Sequence, residues 1–303
     1  MEEFIGGIEA GGTTFALSVA RAADLTIVDR ISIPTTASPD EILLKSAQWL
    51  KSAKNPICAI GVACFGPICL NKENVRYGQI EETPKQGWSH FDVLGFLQRQ
   101  FPNIPIEIDT DVNGAALAEL HYGVGKGKKM GSIAYITIGT GIGVGICIGG
   151  ASHIGRSHSE AGHSQVKRHE CDTFPGICPF HKDCVEGLAS ATALAARLSI
   201  HESALKLVPD SDRVWELVAY YIGQLCANLS LILSPESIVL GGGVSKRAVL
   251  LELVRHNFQQ VINCYMQFPS DYIQVSGLKN GAGVIGSQYL AARALLNRKL
   301  LTQ

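Results

Sequence analysis

The sequence lacks the features of a secreted, membrane-embedded or nucleic-acid-binding protein. Its 303 residues carry a formal net charge of −1, so no strong electrostatic attraction to nucleic acid or to an anionic membrane surface is expected. The N-terminal residues do not combine a positively charged region with a following apolar stretch, and a signal peptide is therefore not predicted. We expect small-molecule partners, with no nucleic acid and no membrane among them.

Two familiar phosphate-binding motifs and a membrane-spanning run are also missing. No G-x-x-x-x-G-K-[ST] run occurs, which excludes a P-loop enzyme, and no G-x-G-x-x-G pattern lies at a strand-to-helix turn, which argues against a dinucleotide fold. Residues 131–154 are uncharged, but they are dense in glycine and polar side chains. This segment is therefore expected to form two strands and a turn and not a membrane helix.

The nine cysteines do not form the pattern of a disulfide framework. Their number is odd and the chain is not small. Cys58, Cys64, Cys147 and Cys226 lie in apolar runs, where a free cysteine packs as a small hydrophobe. A reducing, cytoplasmic setting is expected for such a chain.

Predicted strands and helices alternate along the chain, which indicates α/β layers. Residues 4–19 and 132–148 share a strand, glycine turn, strand pattern, and residues 8–13 align with residues 136–141 without a gap. This weak repeat, with a period near half of the chain, predicts two similar α/β halves around a cleft. Other helices are predicted at residues 39–52, 91–101, 214–233, 250–264 and 282–296, and other strands at residues 58–65, 104–108 and 237–240.

Three glycine-rich turns follow predicted strands, at residues 11–14, 139–143 and 241–244. Glycine lets backbone N–H groups approach phosphate oxygens, so these turns favour nucleotide phosphate binding over simple hairpin turns. Phosphoryl transfer to a hydroxyl also needs a base. Asp111, predicted at the N-cap of a helix that follows a strand, is the best candidate, and on position alone a plain N-cap is an equal alternative.

Residues 160–186 carry the most specific pattern in the chain. The candidate ligands are His163, Cys178, His181 and Cys184, the last three at C-x-x-H-x-x-C spacing in a segment rich in proline and glycine. Two thiolates and two imidazoles suit a closed tetrahedral Zn²⁺ site. Four protein ligands leave no open position for a catalytic water, so the predicted role of Zn²⁺ is structural.

Taken in order, these runs resemble the ROK family of bacterial sugar kinases. The resemblance is carried by I-E-A-G-G-T from residue 8, D-V-N-G-A-A-L-A-E from residue 111, I-G-T-G-I-G from residue 138, E-A-G-H from residue 160, the Cys/His cluster, and L-G-G-G from residue 240. The runs F-G-P, Y-G and T-P-K-Q-G-W, which begin at residues 65, 77 and 83, are similar to the fructokinase branch of that family. The resemblance covers nearly the whole chain.

The resemblance implies a duplicated actin-like (ribonuclease H-like) ATPase fold, with two α/β domains around a cleft. We expect residues 1–115 to form the N-terminal domain, with a closing helix at about residues 284–303 packing back on it. Residues 116–283 would form the C-terminal domain, which contains the zinc-binding loop 160–186. A homodimer is also implied.

The implied activity is transfer of the γ-phosphoryl group of ATP to the 6-hydroxyl of D-fructose, with Mg²⁺ and with Asp111 as the general base. Glu9 would lie near Mg²⁺. The implied sugar-binding residues are Gly66, Thr110, Glu160, His163 and Glu186. The implied ATP-binding residues are Gly11, Gly12, Thr13, Thr140, Gly141, Thr192, Gly241, Gly242, Gly243, Val244 and Ser245.

Several alternatives stay open at this point. Mannose, glucose or an N-acetylhexosamine could be the substrate, although Thr110 and residues 83–88 favour fructose. Thr14 and Glu9, where the family pattern has lysine and aspartate, leave open a degenerate kinase that binds sugar without turnover. His163 could contact the sugar or only Zn²⁺. A sugar-responsive repressor is not expected, because the first glycine hairpin begins within a few residues of Met1 and leaves no room for a helix-turn-helix domain.

Overall fold

The computed structural model describes residues 2–301, so Met1 and the last two residues of the predicted closing helix lie outside it. The N-terminal half forms a five-stranded sheet in the order β3-β2-β1-β4-β5, in which β1 to β3 are antiparallel and β4 and β5 are parallel to β1. Its elements are β1 (Phe4–Ala10), β2 (Thr14–Arg21), β3 (Ile27–Pro34), α1 (Pro39–Lys51), β4 (Ile57–Cys64), α2 (Val93–Gln100) and β5 (Ile106–Thr110).

The C-terminal half repeats this topology. Its sheet has the order β10-β9-β6-β7-β8, with β6 to β8 antiparallel and β9 and β10 parallel to β6. The strands are β6 (Ile133–Ile138), β7 (Ile142–Ile148), β8 (Ala151–Ser152), β9 (Ile238–Gly241) and β10 (Ile273–Val275). The predicted duplication and the predicted strands within residues 131–154 are therefore confirmed.

The two hairpins differ at their turns. Ala10 pairs with Phe15 across residues 11–14, whereas Ile138 pairs with Ile142 across residues 139–141. The first turn is thus longer than the second by one residue. The predicted gapless alignment of the two hairpins therefore holds up to Ala10 in β1 and Ile138 in β6, and it fails in the turns that follow.

Six further helices cover the two sheets. They are α3 (Asp111–Tyr122), α4 (Val185–Ala189), α5 (Ala191–Leu198), α6 (Val214–Leu233), α7 (Leu250–Ile262) and α8 (Ala282–Leu301). The first sheet packs α1 and α2 on one face and α3 and α8 on the other. Helix α3 also contacts β6 and β7, so it lies between the sheets and passes through the predicted domain boundary at residues 115 and 116.

Helix α3 begins differently from the prediction. Strand β5 continues to Thr110, whose extended backbone makes it the N-cap, and its Oγ1 accepts a hydrogen bond from the Asn113 N–H at 3.0 Å. Asp111 is the first helical residue, and its Oδ1 accepts from the Val112 N–H at 2.9 Å. The prediction of Asp111 as N-cap is wrong because the strand runs further than expected. The Asp111 carboxylate consequently contacts the first turn of α3 through Oδ1 without being its N-cap.

Within residues 2–301, one helix is long and apolar enough to cross a membrane by length and composition. This helix is α6, with a mean hydropathy of 1.3 over its most apolar window, of which 61% is buried. Trp215, Tyr221 and Ile222 on α6 are almost completely buried against the second sheet and α7. Helix α6 therefore forms the core of the C-terminal half.

Candidate active site

The first glycine turn closes the β1–β2 hairpin and presents open backbone. The Gly11 N–H donates to the Thr14 carbonyl at 3.0 Å. Thr35 supports the turn, because its N–H donates to the Thr13 carbonyl at 2.9 Å and its hydroxyl donates to the Gly11 carbonyl at 2.8 Å. A Cβ at Gly12 would meet no other atom of the described residues within 4 Å. A turn of this kind has room for phosphate oxygens.

The second glycine turn is braced by Glu186. The Glu186 Oε2 accepts from the Ile142 N–H at 2.9 Å, and a Cβ at Gly141 would lie 2.5 Å from the same oxygen. Only glycine at residue 141 therefore lets the carboxylate approach this turn so closely. Because α4 begins just before Glu186, the helix position sets the position of the turn.

A cavity of about 590 Å³ opens beside the second and third glycine turns. Thr140 from the second turn and Gly243 and Val244 from the third line it, and their predicted contacts with a nucleotide stay predictions. The other wall of the cavity was not predicted from the sequence; it includes Glu202, Leu205, Lys206, Asp210, Trp215 and Arg247. Four of these residues precede α6, Trp215 lies in its first turn, and Arg247 follows the third glycine turn, so no contiguous motif marks them.

Two side-chain clusters shape this cavity. The Arg247 guanidinium stacks over the Trp215 ring at 4.6 Å from the ring centroid and donates to Asp210 at 3.0 Å. The Thr192 hydroxyl lies 2.8 Å from the Thr140 carbonyl oxygen and 2.6 Å from the Glu202 Oε1. Thr192 therefore supports the turn at Thr140 from behind. Its predicted contact with the nucleotide stays a prediction.

Gly241, Gly242 and Ser245 form the backbone of the third turn. Gly241 ends β9, and the Ser245 hydroxyl donates to the Gly242 carbonyl at 3.0 Å. This bond fixes the turn through which Gly243 and Val244 reach the cavity. The phosphate contacts predicted for Gly241, Gly242 and Ser245 remain predictions.

Two carboxylates, Glu9 on β1 and Asp111 at the start of α3, lie close enough to influence each other. Burial and, to a smaller extent, the negative charge of Asp111 raise the pKa of Glu9 to about 7, against the positive charge of Arg30, which lowers it. Burial also raises the pKa of Asp111 to about 6, against the effect of backbone hydrogen bonds that lower it. A carboxylate with a pKa near 6 suits a general base at neutral pH. Paired carboxylate oxygens also fit the ligand preference of Mg²⁺.

A buried hydrogen-bond network fixes the first turn of α3. The Asn113 amide donates to Asp109 Oδ1 at 2.8 Å and accepts from the Ile146 N–H at 3.2 Å. The Ser152 hydroxyl donates to Asp109 Oδ2 at 2.6 Å. The network joins β5 and α3 to β7 and β8, so the backbone that carries Asp111 is held from both halves of the chain.

Glu160 lies three residues before His163, the first residue of the Cys/His cluster. Its side chain is 49% exposed. Desolvation, followed by the negative charges of Glu186, Asp111 and Glu81, raises the pKa of Glu160 to about 7. Glu160 thus lies close enough to Glu186 and Asp111 for their charges to interact. Their contacts with sugar stay predictions.

The other two predicted sugar positions, Gly66 and Thr110, differ in accessibility. Thr110 is only 1% exposed, and its hydroxyl is already engaged as the cap of α3. Gly66 lies against the ring of His158, where a Cβ would be 3.1 Å from the imidazole Cε1. Gly66 therefore leaves space for His158, a residue that the sequence analysis did not single out.

The four predicted zinc ligands come together. The ligand atoms of His163, Cys178, His181 and Cys184 all lie within 4.8 Å of one another. The His163 Nδ1 is 3.6 Å from each sulfur, and the His181 Nδ1 is 3.7 Å from the Cys178 sulfur. A tetrahedral Zn²⁺ with Zn–S of about 2.3 Å and Zn–N of about 2.0 Å requires S···N distances of about 3.6 Å. The donor set therefore fits Zn²⁺ in type, number and spacing.

The Cys/His cluster is directly connected to the second glycine turn. Cys184 is the N-cap residue of α4, and Glu186 lies in the first turn of that helix. The Glu186 Oε1 lies 3.9 Å from the His163 Nδ1. Its Oε2 accepts the hydrogen bond from the Ile142 N–H. A metal held by His163 and Cys184 would thus fix the carboxylate that braces the turn. The His163 Nδ1 faces the two sulfur atoms of the cluster. A sugar hydroxyl could therefore contact His163 only through its other ring nitrogen, Nε2.

The duplicated sheets, the nucleotide-sized cavity and the facing carboxylates define the class of actin-like ATPase folds. The chain belongs to the ROK family, whose sequence pattern matches residues 5–294. The predicted family and the predicted duplicated actin-like fold are both confirmed.

Relatives are similar over nearly the full length. A fructokinase of Pediococcus pentosaceus is 40% identical over 295 residues, covering 97% of this chain and 99% of the relative. A fructokinase of Lactococcus lactis subsp. cremoris is 39% identical over 296 residues, covering 96% and 98%. The crystal structure of a ROK hexokinase from Thermus thermophilus matches with a TM-score of 0.75 at 25% identity, covering 98% of this chain and 100% of that chain.

Proposed function

We propose that this protein is an ATP-dependent fructokinase, which converts D-fructose and ATP to fructose 6-phosphate and ADP. The observation that carries the proposal is the buried Asp111 carboxylate, which lies near Glu9 of the N-terminal half and Glu160 of the C-terminal half. Burial raises the pKa of Asp111 to about 6. The full-length similarity to proteins named fructokinase supports the choice of sugar.

Asp111 acts as the general base of the transfer. Its carboxylate takes the proton from the sugar 6-hydroxyl while the hydroxyl oxygen attacks the γ-phosphorus of ATP. The bond between the γ-phosphorus and the bridging oxygen breaks, and ADP leaves with that electron pair. When bound, Mg²⁺ neutralises phosphate charge, and Glu9 is the residue that we propose to lie near it.

The substrates approach Asp111 from two sides. The adenosine part of ATP occupies the cavity beside Thr140, Gly243 and Val244, and the phosphates extend towards the first glycine turn. Glu160, His163, Glu186, Gly66 and Thr110 surround the sugar. His163, Cys178, His181 and Cys184 would hold a structural Zn²⁺, which would keep Glu160 and Glu186 in place, and four protein ligands would leave it no open position for the transfer itself.

We also propose that the protein is a cytoplasmic homodimer. None of the nine cysteines, all within residues 2–301, forms a disulfide, which suits a reducing compartment. Size-exclusion chromatography with light scattering tests the dimer, and a monomeric mass at micromolar concentration would contradict it.

The test of the activity is a coupled ADP-release assay with ATP and Mg²⁺ on fructose, mannose, glucose and N-acetylglucosamine in parallel. We expect the highest kcat/KM on fructose, with phosphorus NMR identifying the product as the 6-phosphate. Preference for another hexose would retain the kinase and overturn the sugar assignment. A lack of turnover on all four sugars, with Zn²⁺ bound, would support the degenerate kinase instead.

A further inference from the structure

A rigid loop of the N-terminal half, residues 83–88, lies against the first glycine turn. Trp88 at its end is completely buried, and its indole N–H donates to the Thr36 carbonyl at 2.8 Å. Gly87 has φ of +81° and packs so tightly that a Cβ would overlap the Ala37 carbonyl oxygen. Residues 36 and 37 directly follow Thr35, which supports the glycine turn. The loop and the turn are therefore fixed to the same segment.

Lys85 is the residue of this loop that reaches the turn. Its backbone is held at both ends, because the Trp88 N–H donates to the Lys85 carbonyl at 3.1 Å and the Lys85 N–H donates to Thr83 Oγ1 at 3.3 Å. Its ammonium group donates to the Gly12 carbonyl and lies 5.3 Å from the centroid of the Phe65 ring. The side chain is thus directed to the tip of the turn. Partial desolvation there lowers the pKa of Lys85.

The first glycine turn has no charged side chain of its own, and Arg30 is the positive charge that acts on Glu9 nearby. Residues 11–14 are uncharged, so the turn offers only neutral N–H and hydroxyl groups to a phosphate. Glu9 and Asp111 add negative charge on the inner side. A phosphate oxygen is a much stronger acceptor for an ammonium group than a neutral carbonyl, so the Gly12 carbonyl is a partner that phosphate would displace.

We propose that Lys85 is a catalytic residue that contacts the γ-phosphoryl group and stabilises its charge during transfer. This inference rests on the proposed phosphotransfer from ATP. Lys85 gives and takes no proton: the sugar oxygen bonds to phosphorus, the bond to the bridging oxygen breaks, and Asp111 takes the proton. Because Lys85 and the turn belong to the same half of the chain, their contact does not depend on closure of the two halves.

The competing role for Lys85 is binding of the sugar, since residues 83–88 were also expected to favour fructose. The two roles differ in kinetics. A charge that acts on the transferring group is used in the transition state and changes kcat, whereas a sugar contact made equally before and during transfer changes KM.

The test compares Lys85→Met, which removes the charge at similar size, with Lys85→Arg, which keeps it. We expect Lys85→Met to lower kcat by about 10²-fold or more, with the KM for fructose changed by less than about threefold. Lys85→Arg should recover part of the loss. Lys45→Met, on the outer face of α1 in an exposed pair with Glu41, is the control and should match the wild type.

Calorimetry on the same variants separates failure of this inference from failure of the proposed function. Lys85→Met should weaken binding of Mg·ATP but leave binding of Mg·ADP unchanged, because only ATP carries the γ-phosphate. That comparison needs no turnover, so it holds even if the preferred sugar is not fructose. Equal weakening of ATP and ADP, or a rise in the KM for sugar with unchanged kcat, would overturn the assignment of Lys85.

Discussion

The Nε2 of His158 accepts a hydrogen bond from the backbone N–H of Ile68 at 3.1 Å. An amide N–H is only a donor, so this nitrogen carries no proton and the neutral ring has its proton on Nδ1. The Nδ1 lies 3.5 Å from Glu160 Oε1, and burial lowers the pKa of His158, which favours the same neutral form. His158 therefore connects the segment after β4 to Glu160 in the other half.

We predict that His158→Gln raises the KM for fructose by about tenfold, the effect of losing a polar contact with Glu160 worth about 1.4 kcal/mol. Glutamine keeps an acceptor for the Ile68 N–H but offers no donor at the position of Nδ1. The KM for ATP should not change. Steady-state kinetics are the measurement, with His256→Gln, an exposed residue of α7, as the control. An unchanged KM for fructose would show that His158 does not orient Glu160.

The pKa of Asp111 predicts the pH dependence of turnover. A base must be deprotonated to act, so kcat/KM for fructose should fall by at least about tenfold per pH unit as the pH drops below the Asp111 pKa of about 6. A kcat/KM that stays constant down to pH 4.5, in protein that remains folded, would contradict the role of Asp111.

The same burial makes Asp111 costly for stability. Its folded-state pKa of about 6 exceeds the ordinary value of 3.8, so folding favours the protonated form and stability falls as the pH rises between these values. Asp111→Asn keeps the acceptor for the Val112 N–H without the charge. We expect it to raise the free energy of unfolding at pH 7.5 by on the order of 2 kcal/mol. The gain should disappear below the ordinary pKa, and urea titrations at both pH values measure it. An equal gain in the free energy of unfolding at both pH values would exclude the Asp111 charge as its cause.

Removal of Zn²⁺ should weaken sugar binding through Glu160 and Glu186. We predict that Cys178→Ser lowers the zinc content and raises the KM for fructose by about tenfold or more. Cys171→Ser is the matched control, since this exposed cysteine lies in the same segment outside the cluster. Zinc analysis accompanies the kinetics. Unchanged sugar affinity in folded, zinc-free protein would contradict the idea that the zinc site positions Glu160 and Glu186.

The buried ion pair of Asp172 and Arg197 should stabilise the segment that carries the zinc ligands. Their side chains are 2% and 7% exposed, and the Tyr221 hydroxyl also donates to Asp172. Asp172→Ala leaves the guanidinium buried without its carboxylate, which should cost about 3 kcal/mol in urea unfolding. Asp183→Ala, at a pair whose carboxylate is 45% exposed, should cost less than about 1 kcal/mol. Equal losses for the two variants would contradict the role of burial.

The sequence predicted that the four Cys/His side chains come together and that the two halves are duplicated, because these features depend on local spacing and on a repeated hairpin. The role of Asp111 as the base stays a prediction. Residues 83–88 were singled out for sugar preference, but the contact of Lys85 with the glycine turn was not predicted, nor were His158 and Glu202. Each of these acts through a partner far along the chain, such as Gly12 for Lys85. The start of α3 was misplaced for a related reason, since only pairing with β4 extends β5 to Thr110.

The most direct test of the proposed reaction is the turnover of fructose with ATP and Mg²⁺ at pH 8 by the wild type and by Asp111→Asn. Both proteins should contain Zn²⁺, and Asp40→Asn, at an exposed position of α1, serves as the control. We predict fructose 6-phosphate from the wild type and the control, with kcat of Asp111→Asn lower by about 10³-fold. Turnover by Asp111→Asn at the rate of the wild type would contradict the account.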